Sequence, residues 1–174
     1  MKSHIRYALV VTSDRVKKGI KKDKIRPLLE GWLEENNGVL VYYRVVGNKL
    51  NEIVDTVKTA VTYADIVLVT GGTGPGPRDK SIEAVELVAE KKLEGLGEEH
   101  RFRSRESVGL RASISRVSGY TLGESLIVVT PGSPNAVKVM LEILSEIAHH
   151  IVDALRGASH WDKHHKDHSK HMKT

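Results

Sequence analysis

Residues 66–84 read Ile-Val-Leu-Val-Thr-Gly-Gly-Thr-Gly-Pro-Gly-Pro-Arg-Asp-Lys-Ser-Ile-Glu-Ala, the order of parts that a phosphate site requires. An apolar strand would deliver a glycine-rich turn, then the charged pair Arg78-Asp79, then a helix start. Gly71, Gly72 and Gly74 can adopt positive φ and let the backbone come close to a ligand, so that successive N–H groups face an anion. Ser81 as N-cap, with Glu83 in the first turn, would bring the positive end of a helix to the same place. The spacing is not that of a P-loop, because Asp79 precedes Lys80 where glycine is needed and Pro75 and Pro77 remove two donors. It also departs from the G-x-G-x-x-G dinucleotide pattern. Taken alone, the loop is equally compatible with a tight connection that uses glycine for turn geometry only.

The elements that must position this loop alternate along the chain. Residues 5–12, 39–46 and 65–69 are apolar and strand-like, whereas 23–35 and 51–63 carry apolar residues at helical spacing, such as Ile25, Leu28, Leu29, Trp32 and Leu33 in the first of them. Strands separated by helices of this length predict a parallel sheet covered on both faces. Helices are expected over 81–91 and 97–113, the latter irregular near Gly109. Residues 117–120 and 125–129 flank Leu122-Gly123-Glu124, an antiparallel hairpin signal. Residues 134–155 predict a long helix opened by Ser133 as N-cap with Pro134 at its first position. The expected fold is therefore α/β with three layers, a mostly parallel sheet between helices and a short antiparallel hairpin.

In such a sheet ligands settle beyond the carboxyl ends of the strands. Thr12-Ser13-Asp14, residues 70–79 and residues 131–134 each follow a predicted strand and would meet at that edge. Considered singly, Ser13 reads as a turn or cap residue, Asp14 as an ion-pair partner of Arg15, and Ser133 as the N-cap already assigned.

The chain has 174 residues, 40% of them hydrophobic, which suits one compact core. No run approaches the ~18 apolar residues of a membrane span, and the N-terminus enters a strand without a signal-peptide pattern. A cytoplasmic protein without membrane contact is expected. The absence of cysteine excludes disulfides, thiolate metal sites and cysteine nucleophiles. A net charge of +5 could serve nucleic acid, yet the basic residues are dispersed and a single Phe offers no stacking platform. A positive field for phosphorylated small molecules explains the balance, and no nucleic-acid partner is expected.

The blocks Thr70 to Gly74, Arg78-Asp79, Ser81 and Glu83-Ala84 resemble the signature of the MoaB/Mog family of molybdopterin-binding proteins, T-G-G-T-G, a spacer, then R-D-x-[ST]-x-E-A. Val11-Thr12-Ser13-Asp14-Arg15, Gly95-Leu96-Gly97-Glu98, Ile114-Ser115-Arg116 and Pro131-Gly132-Ser133-Pro134 agree in order, so the resemblance spans residues 4–155. It implies a molybdopterin pocket in molybdenum or tungsten cofactor biosynthesis and, in active members, adenylylation of molybdopterin by ATP with Mg²⁺. The same resemblance implies that Gly71, Gly72, Thr73 and Gly74 hold phosphate, that Asp79 acts on the metal or the reacting phosphate, and that Ser115, Pro131, Gly132 and Ser133 hold the pterin side. Ser13 and Asp14 join the binding set, and Arg78 either neutralises phosphate or pairs with Asp79.

One position departs from the family. Active members carry a Val-Pro-Asp-like block after the second strand, whose Asp is regarded as catalytic or metal-positioning, and here the run is Val46-Gly47-Asn48. Asn48 stands at the catalytic position without charge. Asp14, Glu52 and Asp55 are candidate compensating carboxylates. Ile82 also replaces a proline common in the family. The alternative to an adenylyltransferase is thus a non-catalytic molybdopterin-binding or carrier protein. Relatives imply a homo-oligomer, trimer or hexamer, and contact with other cofactor-assembly proteins. The domain is expected over 4–157. Residues 158–174, with His160, His164, His165, His168 and His171, read as a polar, solvated tail, with transition-metal chelation at i, i+4 spacing as the alternative.

Overall fold

The computed structural model describes residues 4–158, so the His-rich tail lies outside the described residues. Six strands form one sheet in the order β2-β1-β3-β6-β5-β4. They are β1 (Ile5–Thr12), β2 (Gly38–Val46), β3 (Ile66–Thr70), β4 (Lys91–Leu93), β5 (Ser118–Leu122) and β6 (Ser125–Thr130). β2, β1, β3 and β6 run parallel, and β5 and β4 are antiparallel to their neighbours. The central strands are buried on both faces, and every residue of β3 and β6 is buried, which is why they read as continuous apolar runs rather than as alternating ones.

Alternation along the strands sends side chains into two cores. Tyr7, Leu9, Val11, Ile66, Leu68 and Val128 meet α2 (Ile25–Glu35) and α6 (Pro134–Leu155) on one face. Ala8, Val10, Val67, Val69 and Val129 meet α3 (Leu50–Val61) and α4 (Ser81–Glu86) on the other. The helices fit because their apolar residues recur on one side: Ile25, Leu29 and Leu33 are buried in α2, and Ile53, Val57 and Ala60 in α3. α5 (Glu94–Val108) lies against α6 and β5, and a short 3-10 helix (Gly109–Ile114) continues it. Two further features follow the expected pattern. Gly109 at φ 62° marks the break in the long helix, and Gly123 at φ 57° turns the β5–β6 hairpin.

Two expected helices are wrong at their junction. The helix from Ser81 stops at Glu86 instead of reaching Lys91, and residues 91–93 form the edge strand β4. The Glu90 N–H donates to the Thr121 carbonyl at 2.8 Å, so the β5 ladder captures a stretch that helical propensity would have continued. α5 then begins at Glu94, three residues before the expected Gly97.

Connections leave β1 in one direction for β2 and then cross back to β3, so the strand order reverses between β1 and β3. The crevice of a doubly wound sheet opens at such a point. At the opposite pole, buried Asp65 accepts from the Arg6 backbone and guanidinium at 2.8 Å each and from Arg156 at 2.8 Å, which ties the end of α6 to the start of β3.

Candidate functional site

Beyond Thr70 the chain turns on two glycines, Gly71 at φ 92° and Gly72 at φ 66°. A Cβ on Gly71 would lie 2.4 Å from the Thr12 carbonyl oxygen, and one on Gly72 would lie 2.5 Å from Ser81 Oγ, so the turn closes only with glycine. The Gly71 N–H donates to the Thr130 carbonyl at 2.9 Å, drawing the ends of β3 and β6 together. Gly74 is not among the positive-φ glycines. Its bare Cα makes room for Asp79, whose Oδ2 would be 2.7 Å from a Cβ there and accepts from the Gly76 N–H at 3.0 Å.

Of the two readings open for Arg78, pairing with Asp79 is not found, and the expected cap role of Ser81 fails. Arg78 is exposed and makes no ion pair with Asp79 among the described residues, so the two are neighbours in sequence rather than a pair. Ser81 is not the N-cap of α4. Lys80 occupies that position without a side-chain bond, since an ammonium group has no acceptor to offer, and the Ser81 N–H donates to the Gly72 carbonyl at 3.2 Å. The Ser81 hydroxyl is instead buried and has no partner.

The loop's position is held by Arg116, a residue whose role the sequence did not reveal. Its guanidinium donates twice to the Gly74 carbonyl, at 3.1 and 2.8 Å, and to Glu83 at 2.6 Å, while its N–H donates to the Thr73 carbonyl at 3.0 Å. The hydrogen bond and charge of Arg116 hold Glu83 below the usual carboxylate range.

Thr73, Gly74, Ser115, Pro131 and Ser133 line one cavity of ≈ 380 Å³, so five of the expected binding residues converge. Thr73 Oγ1 and Ser115 Oγ are 3.4 Å apart. The opposite wall comes from α5 and the 3-10 helix through His100, Ser104 and Arg111. Buried His100 contacts the Ala136 carbonyl through Nε2 at 2.8 Å and Ser104 Oγ through Nδ1 at 3.4 Å. This assigns a neutral ring donating from Nε2. Burial lowers its pKa, outweighing the Ala136 carbonyl, and Arg101 adds to the lowering. These wall residues were missed, although His100, Ser104 and Ser107 fall at i, i+4, i+7 on one face of α5, and Arg111 follows on the 3-10 helix beyond the Gly109 break.

Ser13 and Asp14 lie at the end of β1. Ser13 caps α1 (Asp14–Lys17), accepting from the Val16 N–H at 3.3 Å. Asp14 does not pair with Arg15 among the described residues. It accepts from the Asn48 N–H at 3.0 Å and from Asn48 Nδ2 at 3.3 Å. Asn48 Oδ1 is left buried and without a partner. Of the other candidate carboxylates, Glu52 accepts from the Gly47 N–H at 3.3 Å, beside Asn48, whereas Asp55 lies in a hollow with Tyr42, Arg44 and Tyr63. No hydrogen bond joins the Asp14–Asn48 cluster to Asp79. No group of three or more acidic, His or Cys residues suited to a metal occurs among the described residues. Thr12, Asn48, Thr70 and Ser81, the buried side chains without a partner among the described residues, all sit at the carboxyl end of the parallel strands. Orphaned polar atoms clustered in this way mark a ligand face.

Residues 8–150 match the family described as a probable molybdopterin binding domain. The chain belongs to the MoaB/Mog family. It is 35% identical over 158 residues to the molybdopterin adenylyltransferase of Pyrococcus furiosus, spanning 87% of this chain and 91% of that protein. To the molybdopterin adenylyltransferase of Haemophilus influenzae it is 36% identical over 146 residues, spanning 82% and 74%. The fold superimposes on the tungsten cofactor synthesizing protein MoaB from Pyrococcus furiosus with a TM-score of 0.82 at 32% identity, covering 90% of this chain and 99% of that one.

Within this MoaB/Mog chain the site has two lobes. The ≈ 380 Å³ cavity has apolar walls from Val108, Ala112, Ile114 and Pro131, suited to a flat ring system with polar edges. A second cavity of ≈ 260 Å³ lies between the α1–α2 connection and the start of α6, and Ser133 lines both. The glycine turn sits between them, since Gly132 approaches Gly71 closely enough that a Cβ on it would be 3.4 Å from the Gly71 Cα.

Proposed function

We propose that this chain is a molybdopterin adenylyltransferase of molybdenum or tungsten cofactor biosynthesis, with molybdopterin and ATP as substrates. The observation that carries this reading is the convergence of Thr73 and Gly74 just after the glycine turn, Ser115, Pro131 and Ser133 on one cavity, beside buried polar atoms that lack partners. Relatives that carry the adenylyltransferase name at 35% and 36% identity support it.

An oxygen of the molybdopterin phosphate attacks the α-phosphorus of ATP, the bond to the pyrophosphate oxygen breaks, and pyrophosphate leaves. Such a transfer asks the protein for positioning and charge stabilisation rather than covalent chemistry. Gly71, Gly72, Thr73 and Gly74 hold the reacting phosphates, and Ser115, Pro131, Gly132 and Ser133 hold the pterin. His100, neutral and fixed by Ala136, orients the wall of the pterin lobe. Exposed Arg78 is free to meet phosphate. Asp79 is held by Gly76 through Oδ2 alone, which leaves Oδ1 for Mg²⁺. Asp79 would hold Mg²⁺ with a single carboxylate, and the ion would supply neutralisation of the two meeting anions. Ser13, which lines the second cavity, joins the binding set, and Asp14 returns negative charge to the place where Asn48 brings none.

A second reading, a molybdopterin-binding or carrier protein, is favoured by one observation: Asn48 spends its N–H groups on Asp14 and contributes no carboxylate. The deciding experiment mixes the chain with molybdopterin, ATP and Mg²⁺ and follows pyrophosphate release, beside Asp79→Ala. Turnover that falls by about 10²–10³ in the variant is expected. Molybdopterin binding without turnover by the unaltered chain establishes the carrier instead.

The protein works as a homo-oligomer, trimer or hexamer, in the cytoplasm beside other cofactor-assembly proteins. Phe102, Leu110 and Ile114 on α5 and the 3-10 helix are 75%, 72% and 61% exposed, an apolar surface that a second copy would cover. Sedimentation of Phe102→Glu/Leu110→Glu is expected to show monomers.

A further inference from the structure

The ≈ 260 Å³ cavity is lined by Ser13, Lys21, Lys22, Lys24, Thr70 and Ser133, among others. Lys21, Lys22 and Lys24 pair with no carboxylate among the described residues, in contrast to neighbouring Lys17, which pairs with Glu52. The lining includes one carboxylate, Asp23, and its oxygens are committed to the Ile25 N–H and the Tyr43 hydroxyl at 2.8 Å each. Beneath the lysines lies Thr70. Ile66, Leu68 and Thr70 alternate toward the α2/α6 face, where this cavity opens, and Thr70 is 0% exposed with a hydroxyl that has no partner. The 22-residue helix α6 starts at the same wall and adds the positive end of its dipole.

Three unpaired ammonium groups above an unpartnered buried hydroxyl and a long helix N-terminus form a receptor for a multiply charged anion. The other lobe has apolar walls, so a ring system and a polyphosphate sort naturally between the two. We propose that this lysine-rimmed cavity holds the β- and γ-phosphates of ATP and, after transfer, the pyrophosphate. The assignment rests on the adenylyl-transfer reading. As the molybdopterin oxygen bonds to the α-phosphorus, the bond from that phosphorus to the β-bridging oxygen breaks and its electron pair leaves with pyrophosphate. The charge that develops there faces Lys21 and Lys22, which stabilise the departing group more as the bond opens.

The test titrates the full chain with inorganic pyrophosphate by calorimetry. It compares the unaltered protein with Lys21→Ala/Lys22→Ala and with Lys18→Ala/Lys58→Ala, which removes the same charge away from the cavity. Pyrophosphate affinity is expected to fall about tenfold or more in the first variant, the loss of one or two charge-assisted contacts, and by less than twofold in the second. Equal losses in both variants mean a diffuse field rather than a site and overturn the proposal, as does an unaltered chain that binds no pyrophosphate. A parallel adenylylation assay separates this from the parent reading. Turnover with an ATP KM unchanged in Lys21→Ala/Lys22→Ala removes the subsite and leaves the transferase standing. A tenfold loss of pyrophosphate binding in a chain that never turns over keeps the subsite and removes the transferase.

Discussion

Asn48 donates to both oxygens of Asp14, at 3.0 and 3.3 Å, so restoring aspartate there does more than add a charge. Asn48→Asp would set two carboxylates about as close as the present amide and acid. At such range like charges repel by about 1–4 kcal/mol if no cation lies between them. The variant is therefore expected to melt several degrees lower without Mg²⁺. Added Mg²⁺ should recover the loss and raise turnover above that of the parent chain. A melting temperature indifferent to Mg²⁺ would show that this corner takes no part in the cation site.

His100 gives a second test of the same kind. Burial first, then Arg101, holds its folded pKa below the ordinary value, whereas the unfolded chain takes up the proton near pH 6.5. Its contribution to stability is complete above about pH 6.5 and shrinks as the pH falls through that value toward the folded pKa. Melting temperature measured from pH 7.5 to about pH 5 should fall more steeply for the parent than for His100→Gln. Parallel curves would mean that His100 titrates normally in the fold.

At the scale of elements, the glycine-rich loop depends on a brace as well as on its own turn chemistry. Arg116 reaches back to the Gly74 carbonyl and across to Glu83, joining the segment before β5 to the loop and to α4. Arg116→Met keeps much of the side-chain bulk and removes these bonds. Each charge-assisted bond contributes about 1.5–3 kcal/mol, so a loss of about 2–4 kcal/mol in stability is expected by denaturant titration, with weaker ATP binding. The loop's glycines were legible in the sequence because a positive φ has few other residue solutions. The brace was not, since Arg116 is distant from Gly74 along the chain and any surface arginine looks the same.

Across the whole molecule, the sheet keeps the Asp65 ion-pair cluster and the glycine turn at opposite ends. The Asp65 cluster lies at the amino end of β3 and the glycine turn at its carboxyl end. Burial works against the Asp65 carboxylate, but Arg6 and Arg156 outweigh it and hold the pKa below the usual value. The stability it supplies is present above the unfolded value near 3.9 and is lost as pH falls through the lower folded pKa. Asp65→Asn should lower stability by about 1–3 kcal/mol at neutral pH, because charge-assisted bonds are lost while the half-exposed guanidinium groups of Arg6 and Arg156 remain solvated. Turnover per folded molecule should be unchanged. A fall in turnover matching the fall in stability would show that the two poles are coupled.

Sequence by itself determined the alternation of strands and helices, the three layers, the hairpin and the long last helix, because periodicity and glycine or proline stops are local properties. It also singled out Thr73, Gly74, Ser115 and the 131–133 turn, through ordered blocks that resemble one family. It misplaced the junction of α4, β4 and α5, where a ladder bond to Thr121 overrode helical propensity. Only the tertiary structure decided that Asp14 faces Asn48 rather than Arg15. It also decided that Arg78 stands apart from Asp79, that Ser81 is buried rather than a cap, and that His100 walls the cavity. Each of these depends on which groups distant in sequence the assembled strands bring within reach, and sequence spacing alone does not encode that.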